Sequence, residues 1–150
     1  MYNAGIGGSD QWQIARNRLY DSALKRAITV NGAVEDLTLH ERELLALWRL
    51  ESDLSRGGFL RFFCGWGDTI YQIALDALTR VRADHLADAL RQMRAIVAPH
   101  EWRISESDRE PHDLLTNAEC AALDSLSRSF TEHLDELTRL VVDCYEPRAS

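Results

Sequence analysis

The stretch that most narrows what this chain can become is Arg56-Gly57-Gly58-Phe59-Leu60-Arg61-Phe62-Phe63-Cys64-Gly65-Trp66-Gly67-Asp68. It holds four of the eight glycines and four large aromatics, between two segments with plain amphipathic helical spacing. Glycine weakens a helix by about 0.5–1 kcal/mol relative to alanine, so its clustering marks a sharp turn or very close packing. The aromatics beside it bring a large apolar payload. The stretch speaks to a fold and little to a chemistry, because no catalytic or metal motif accompanies it.

The 150 residues are enough to bury one core without disulfides or metals. No run of roughly 18 apolar residues is present, so no segment is expected to span a membrane. Met1 to Gln11 has neither a basic head nor an apolar stretch and does not read as a signal peptide. Cys64, Cys120 and Cys144 are an odd set without paired spacing, which suits reduced thiols in the cytoplasm. The net charge of −7 is unevenly placed: from residue 98 onward twelve acidic residues stand against five basic ones, whereas the first 97 residues balance to zero. Direct nucleic-acid binding, which needs a basic face, is not expected.

Residues 1–8, with Gly5, Gly7 and Gly8, read as a flexible tail, and 9–150 as a single all-α domain of six or seven helices. From about Ser9 the apolar positions Trp12, Ile14, Ala15, Leu19, Ala23, Leu24, Ala27 and Ile28 recur at helical spacing, and Asn31-Gly32 closes that element. Thr38-Leu39-His40-Glu41 has the form of a capping box, with Leu37 placed as its staple. Behind it Leu44, Leu45, Leu47, Trp48, Leu50 and Leu54 form an apolar stripe, and Glu43, Glu51 and Asp53 fall among the charges assigned to the rest of the helix. Gly57-Gly58 ends that helix; Phe59 to Phe63 is a short helical turn; Gly65 and Gly67 break the chain again. Asp68 and Asp84 read as N-caps of the next two helices. Residues 98–115, bounded by Pro99 and Pro111, are expected to be the longest irregular segment. Thr116-Asn117-Ala118-Glu119 is a second capping box, and the helical region behind it, with Cys144 inward, is expected to break near Ser127-Arg128-Ser129.

The pattern Gly57-Gly58-Phe59-x-x-Phe62-Phe63-x-x-x-Gly67-Asp68, followed by a helix, resembles a bacterial family of unknown function named after an acidic DNA-mimic protein. The likeness runs from about Leu44 to Val97. Arg56 and Arg61 stand where that family typically carries Asn and Gln. The resemblance implies an all-helical, cytoplasmic, often homodimeric protein, and for the namesake a protein that occupies a transcription factor's DNA-binding surface.

Two surfaces are candidates for function. The first is acidic: Glu101, Glu106, Asp108, Glu110, Asp113, Glu132, Asp135, Glu136, Asp143 and Glu146 could meet phosphate-binding Lys and Arg of a protein partner, although Arg103, Arg109, Arg128 and Arg139 interrupt them. The second is a small-molecule or catalytic pocket around Arg56, Arg61, Trp66 and Asp68, set against the reading that Phe59, Phe62, Phe63 and Trp66 are simply core. His40, His85, His100, His112 and His133 are scattered without metal-ligand spacing, so no metal and no cofactor is expected. Cys64, near Arg56 and Arg61, is the least implausible nucleophile, but a free cysteine among aromatics ordinarily acts as a small hydrophobe. The expectation is a non-enzymatic interaction module.

Overall fold

The computed structural model describes residues 3–146, with side chains from residue 11 onward. Its helices are α1 (Asn3–Thr29), α2 (Leu39–Arg56), α3 (Phe59–Arg80), α4 (Asp84–Val97), α5 (Glu101–Glu106), α6 (Asn117–Glu132) and α7 (Leu134–Tyr145), with short 3-10 turns before α2, α5 and α6. No strand occurs among the described residues, and none of their helices is long and apolar enough to cross a membrane.

α2 is the central element, lying against α1, α3 and α6, while α7 packs on α1 and α4 bridges α3 and α6. The apolar stripe of α2 explains this place, because Leu44, Leu47, Leu50 and Leu54 are all buried. They join one continuous core that also takes in Phe59, Phe62, Leu78, Leu90, Met93, Phe130 and Leu137. Full burial of each such side chain contributes about 1.5–3 kcal/mol, so this one cluster carries the single-domain fold. A satellite of Ala27, Leu37 and Leu45 seals the α1–α2 corner.

Both capping boxes form: Thr38 and Glu41 exchange hydrogen bonds at 3.2 and 2.9 Å, and Thr116 and Glu119 at 3.1 and 2.8 Å. Leu37 is buried, but its carbonyl also accepts from Arg42 Nε at 3.1 Å, so the entry to α2 is fixed by a polar contact as well as an apolar one. Asn31 and Gly32 take left-handed conformations at the end of α1, as expected of that pair.

Several local expectations are corrected. α1 starts at Asn3, so the helix takes in residues read as tail; Met1 and Tyr2 lie outside the described residues. Ile14 and Ile28 are exposed rather than inward. Asp68 and Asp84 are not caps: Gly67 and Ala83 occupy the non-helical position, and each aspartate is the first helical residue after it. Gly65 does not break α3; only Gly67, at φ 85°, kinks it. Residues 98–115 are mostly ordered into a 3-10 turn, α5 and a second 3-10 turn at Pro111–Leu114. The break between α6 and α7 falls at His133, whose Nδ1 lies 2.8 Å from the Ser129 carbonyl, while Ser127 is helical and buried against Met93. Cys144 is exposed.

Candidate functional site

Gly57 and Gly58 end α2 by sending both their N–H groups to the Asp53 carbonyl, at 2.8 and 2.9 Å. Gly58, at φ 83° and ψ −171°, then launches α3, and Gly67 repeats the same conformation at φ 85° and ψ −177°. Between these two points one helical segment runs with Phe59, Phe62 and Phe63 buried. Phe59 stacks on Phe63 with centroids 5.7 Å apart, and Tyr71 meets both edge-on. For these three phenylalanines the core reading holds. Trp66 departs from it, being 43% exposed.

The four pocket candidates do not converge. Arg61 Nε donates to Asp53 Oδ1 at 3.1 Å, and the Trp66 indole N–H donates to Asp53 Oδ2 at 2.8 Å. The Arg49 guanidinium sits over the Trp66 ring, 3.8 Å from its centroid. Asp68 points elsewhere, to Arg94 Nε at 3.5 Å; Arg94 also binds Glu101 at 2.7 Å and covers the Phe63 ring. Arg56 is exposed at the end of α2. These contacts close surface seams between helices, with Arg61 and Trp66 sharing Asp53 while Asp68 is engaged by Arg94. Cys64 is exposed, yet partial desolvation pushes its thiol up, the opposite of what a nucleophile needs.

A cleft does open on the other side of the double glycine. A cavity of about 310 Å³ is lined by Gly57, Gly58, Phe59, Leu60 and, from the opposite wall, His112, Cys120, Leu123, Asp124 and Ser127. No group of three His, Cys, Asp or Glu side chains with metal-binding geometry occurs among the described residues.

The acidic candidates divide by what they touch. Glu101 is paired with Arg94, Glu136 with His85 at 3.1 Å, and Asp113 with His112 at 3.2 Å. Asp143 is exposed and engaged in an interaction of its own. Glu106, Asp108, Glu110, Glu132, Asp135 and Glu146 are exposed and carry no ion pair among the described residues. Of the interrupting arginines, Arg103 turns inward to His100 and, at 3.2 Å, to the Leu114 carbonyl; Arg109 reaches the Asp113 carbonyl at 3.3 Å. Arg128 and Arg139 remain exposed. Trp102, 66% exposed, stands on α5 beside this acidic edge.

The signature segment, the aromatic core behind it and the two capped helices are thus parts of one frame. Residues 35–146 match the family described as DMP19-like protein. The chain belongs to the DMP19-like family. No curated protein and no solved structure matches it. The family match is wider than the Leu44–Val97 likeness and takes in α2 through α7, leaving α1 outside.

A buried polar array escaped the sequence reading. Glu43 and Glu51, assigned above to the charged face of α2, are 1% and 8% exposed. Glu43 Oε1 accepts from Arg80 Nε at 2.7 Å and from the Tyr145 hydroxyl at 2.6 Å. Glu51 accepts from Arg16 at 2.9 Å and from the Tyr20 hydroxyl; Arg16 goes on to Thr138 at 3.3 Å. Burial and the neighbouring carboxylates push both phenols up, so they stay protonated as donors. α2 is thereby tied to α1, α3 and α7, so the array is structural. Within DMP19-like proteins as a family, only the Glu43, Glu51, Arg80, Thr138 and Tyr145 positions fall inside the matched segment; Arg16 and Tyr20 lie before it.

Proposed function

We propose that this DMP19-like protein is a non-enzymatic interaction protein whose acidic C-terminal third binds a protein partner through that partner's basic, phosphate-binding surface, as a DNA mimic does. The observation that carries the reading is the set of unspent carboxylates at Glu106, Asp108, Glu110, Glu132, Asp135 and Glu146. A carboxylate already paired inside the fold offers little to a partner, whereas these stand exposed and carry no ion pair among the described residues. The inward turn of Arg103 further favours a negative edge around Glu106–Glu110, with Arg109 the basic side chain left exposed within it. Complementary charge of this kind speeds and steers association and weakens as salt is added. The exposed Trp102 beside it supplies an apolar anchor of the type that dominates protein interfaces.

The test is affinity capture from the native host with the wild-type chain and with Glu106→Lys, Asp108→Lys, Glu110→Lys combined, each at low and high salt. Partners held at low salt by the wild type and lost with the charge-reversed chain support the acidic-edge reading. Retrieval of the same partners by both chains, independent of salt, overturns it.

A further inference from the structure

We propose that the groove between the double-glycine corner and α6 receives an arginine side chain of the partner. The proposal rests on the reading that the partner is basic, and deepens it by naming a seat. The cavity beside Gly57 and Gly58 adjoins a second of about 440 Å³, and Asp124 and Ser127 line both. The second is bordered by the last turn of α2 at Leu54 and Ser55 and by Thr131 on α6.

Two hydroxyls in the walls face the groove as acceptors, their hydrogens already used. Ser127, 8% exposed, spends its hydroxyl hydrogen on Met93 Sδ, and Thr131 spends its own on the Arg128 carbonyl at 2.9 Å. Both oxygens therefore keep only lone pairs for a guest. Gly58 N–H bonds the Asp53 carbonyl, so the Leu54 carbonyl lacks the amide that would normally satisfy it, at the negative end of the α2 dipole. Asp124 is exposed and carries no ion pair among the described residues. Leu60 and Leu123 give an apolar stretch suited to an aliphatic stem. A guanidinium carries five donors and no acceptor, and so answers this wall more completely than any neutral group. Arg128, exposed, also lines the second cavity and is the one opposing charge in it.

The probe is Nα-acetyl-arginine methylamide, titrated into the intact chain and followed by amide shifts, with the citrulline analogue and spermidine as separate arms. The expected result is a shift map centred on Gly57, Gly58, Cys120 and Ser127, with citrulline binding about tenfold more weakly, the difference that a charge-assisted contact makes. Asp124→Asn, at an exposed position, is expected to keep the melting temperature and weaken the arginine probe about fivefold; Arg128→Ser is expected to tighten it. Equal binding of citrulline, an unchanged affinity in Asp124→Asn, a map lying elsewhere, or spermidine binding the same residues more tightly than the arginine probe overturns the proposal. The charge-reversed chain above tells the two readings apart. If it loses the partner while the arginine probe misses the groove, only the seat fails. If it keeps the partner while the probe still seats, only the acidic edge fails.

Discussion

Tyr145, in the last turn of α7, donates its hydroxyl hydrogen to Glu43 Oε1 at 2.6 Å, across 102 residues of chain. The acceptor is 1% exposed, and its other oxygen, Oε2, has no partner among the described residues. Tyr145 and Arg80 therefore supply the two hydrogen bonds that Glu43 receives inside the core.

Removing one of those two donors should be costly. Tyr145→Phe keeps the ring against His40 but deletes the hydroxyl. A hydrogen bond to a charged group is worth about 1.5–3 kcal/mol, and the lost stability should fall in that range. Urea unfolding at pH 7 measures it. A loss below about 0.5 kcal/mol would mean that Glu43 draws little from Tyr145.

What could be read in the chain beforehand was whatever is decided within one turn of helix. Thr38 with Glu41, Thr116 with Glu119, and Asn31 with Gly32 need only each other, and all three behave as expected. Asp68 and Asp84 look like caps by composition, but the backbone angles of Gly67 and Ala83 decide that role. Glu43 and Glu51 were misplaced for a different reason: their partners stand 31 to 102 residues away, and a helical wheel has no knowledge of them. The same holds for Trp66, whose amphipathic position looked inward until Arg49 and Asp53 proved able to hold it at the surface. At the candidate sites, the acidic residues are legible in the chain as charge, but not which of them Arg94, His85 and His112 consume.

Asp53, itself half-buried, holds Arg61 and Trp66 at once, and both of those partners stand exposed at the surface. Asp53→Ala is therefore expected to cost under about 1 kcal/mol, as exposed ion pairs do. It should nevertheless free the indole. In a chain with Trp12, Trp48 and Trp102 replaced by phenylalanine, Trp66 emission should move to the red and become more open to iodide quenching. An unchanged spectrum would show that stacking on Arg49 alone positions the ring.

Glu119 should make stability sensitive to acid. Its carboxyl is held below the usual carboxylate range, first by the Thr116 amide and then by His100. With the folded value depressed, the native state holds fewer protons than the unfolded chain as the pH falls. The contribution is thus complete above the ordinary value of 4.5 and lost as the pH drops through the lower, folded one. Glu119→Gln can still accept from Thr116 but does not titrate, so its stability should fall less steeply than wild type across that window. Urea midpoints at stepped pH give the comparison, and parallel curves would refute it.

The glycines of the signature should separate into two kinds. Gly58 and Gly67 sit at φ 83° and 85° with ψ near 180°, a region that side chains avoid. A Cβ at Gly58 would meet nothing nearer than Ser127 Oγ at 3.9 Å, and one at Gly67 would meet open space, so any penalty comes from the backbone alone. Gly58→Ala and Gly67→Ala should each lose about 1–3 kcal/mol. Gly65 is helical, and a Cβ there also meets nothing within 4 Å. Gly65→Ala should instead gain about 0.5–1 kcal/mol, since alanine removes backbone freedom from the unfolded chain without strain in the folded one. Thermal unfolding of the three variants gives opposite signs if the two short helical segments start where Gly58 and Gly67 place them. A destabilised Gly65→Ala would mean that the segment between them needs flexibility at its centre, and that the helix from Phe59 to Trp66 is not the rigid strut that buries Phe59, Phe62 and Phe63.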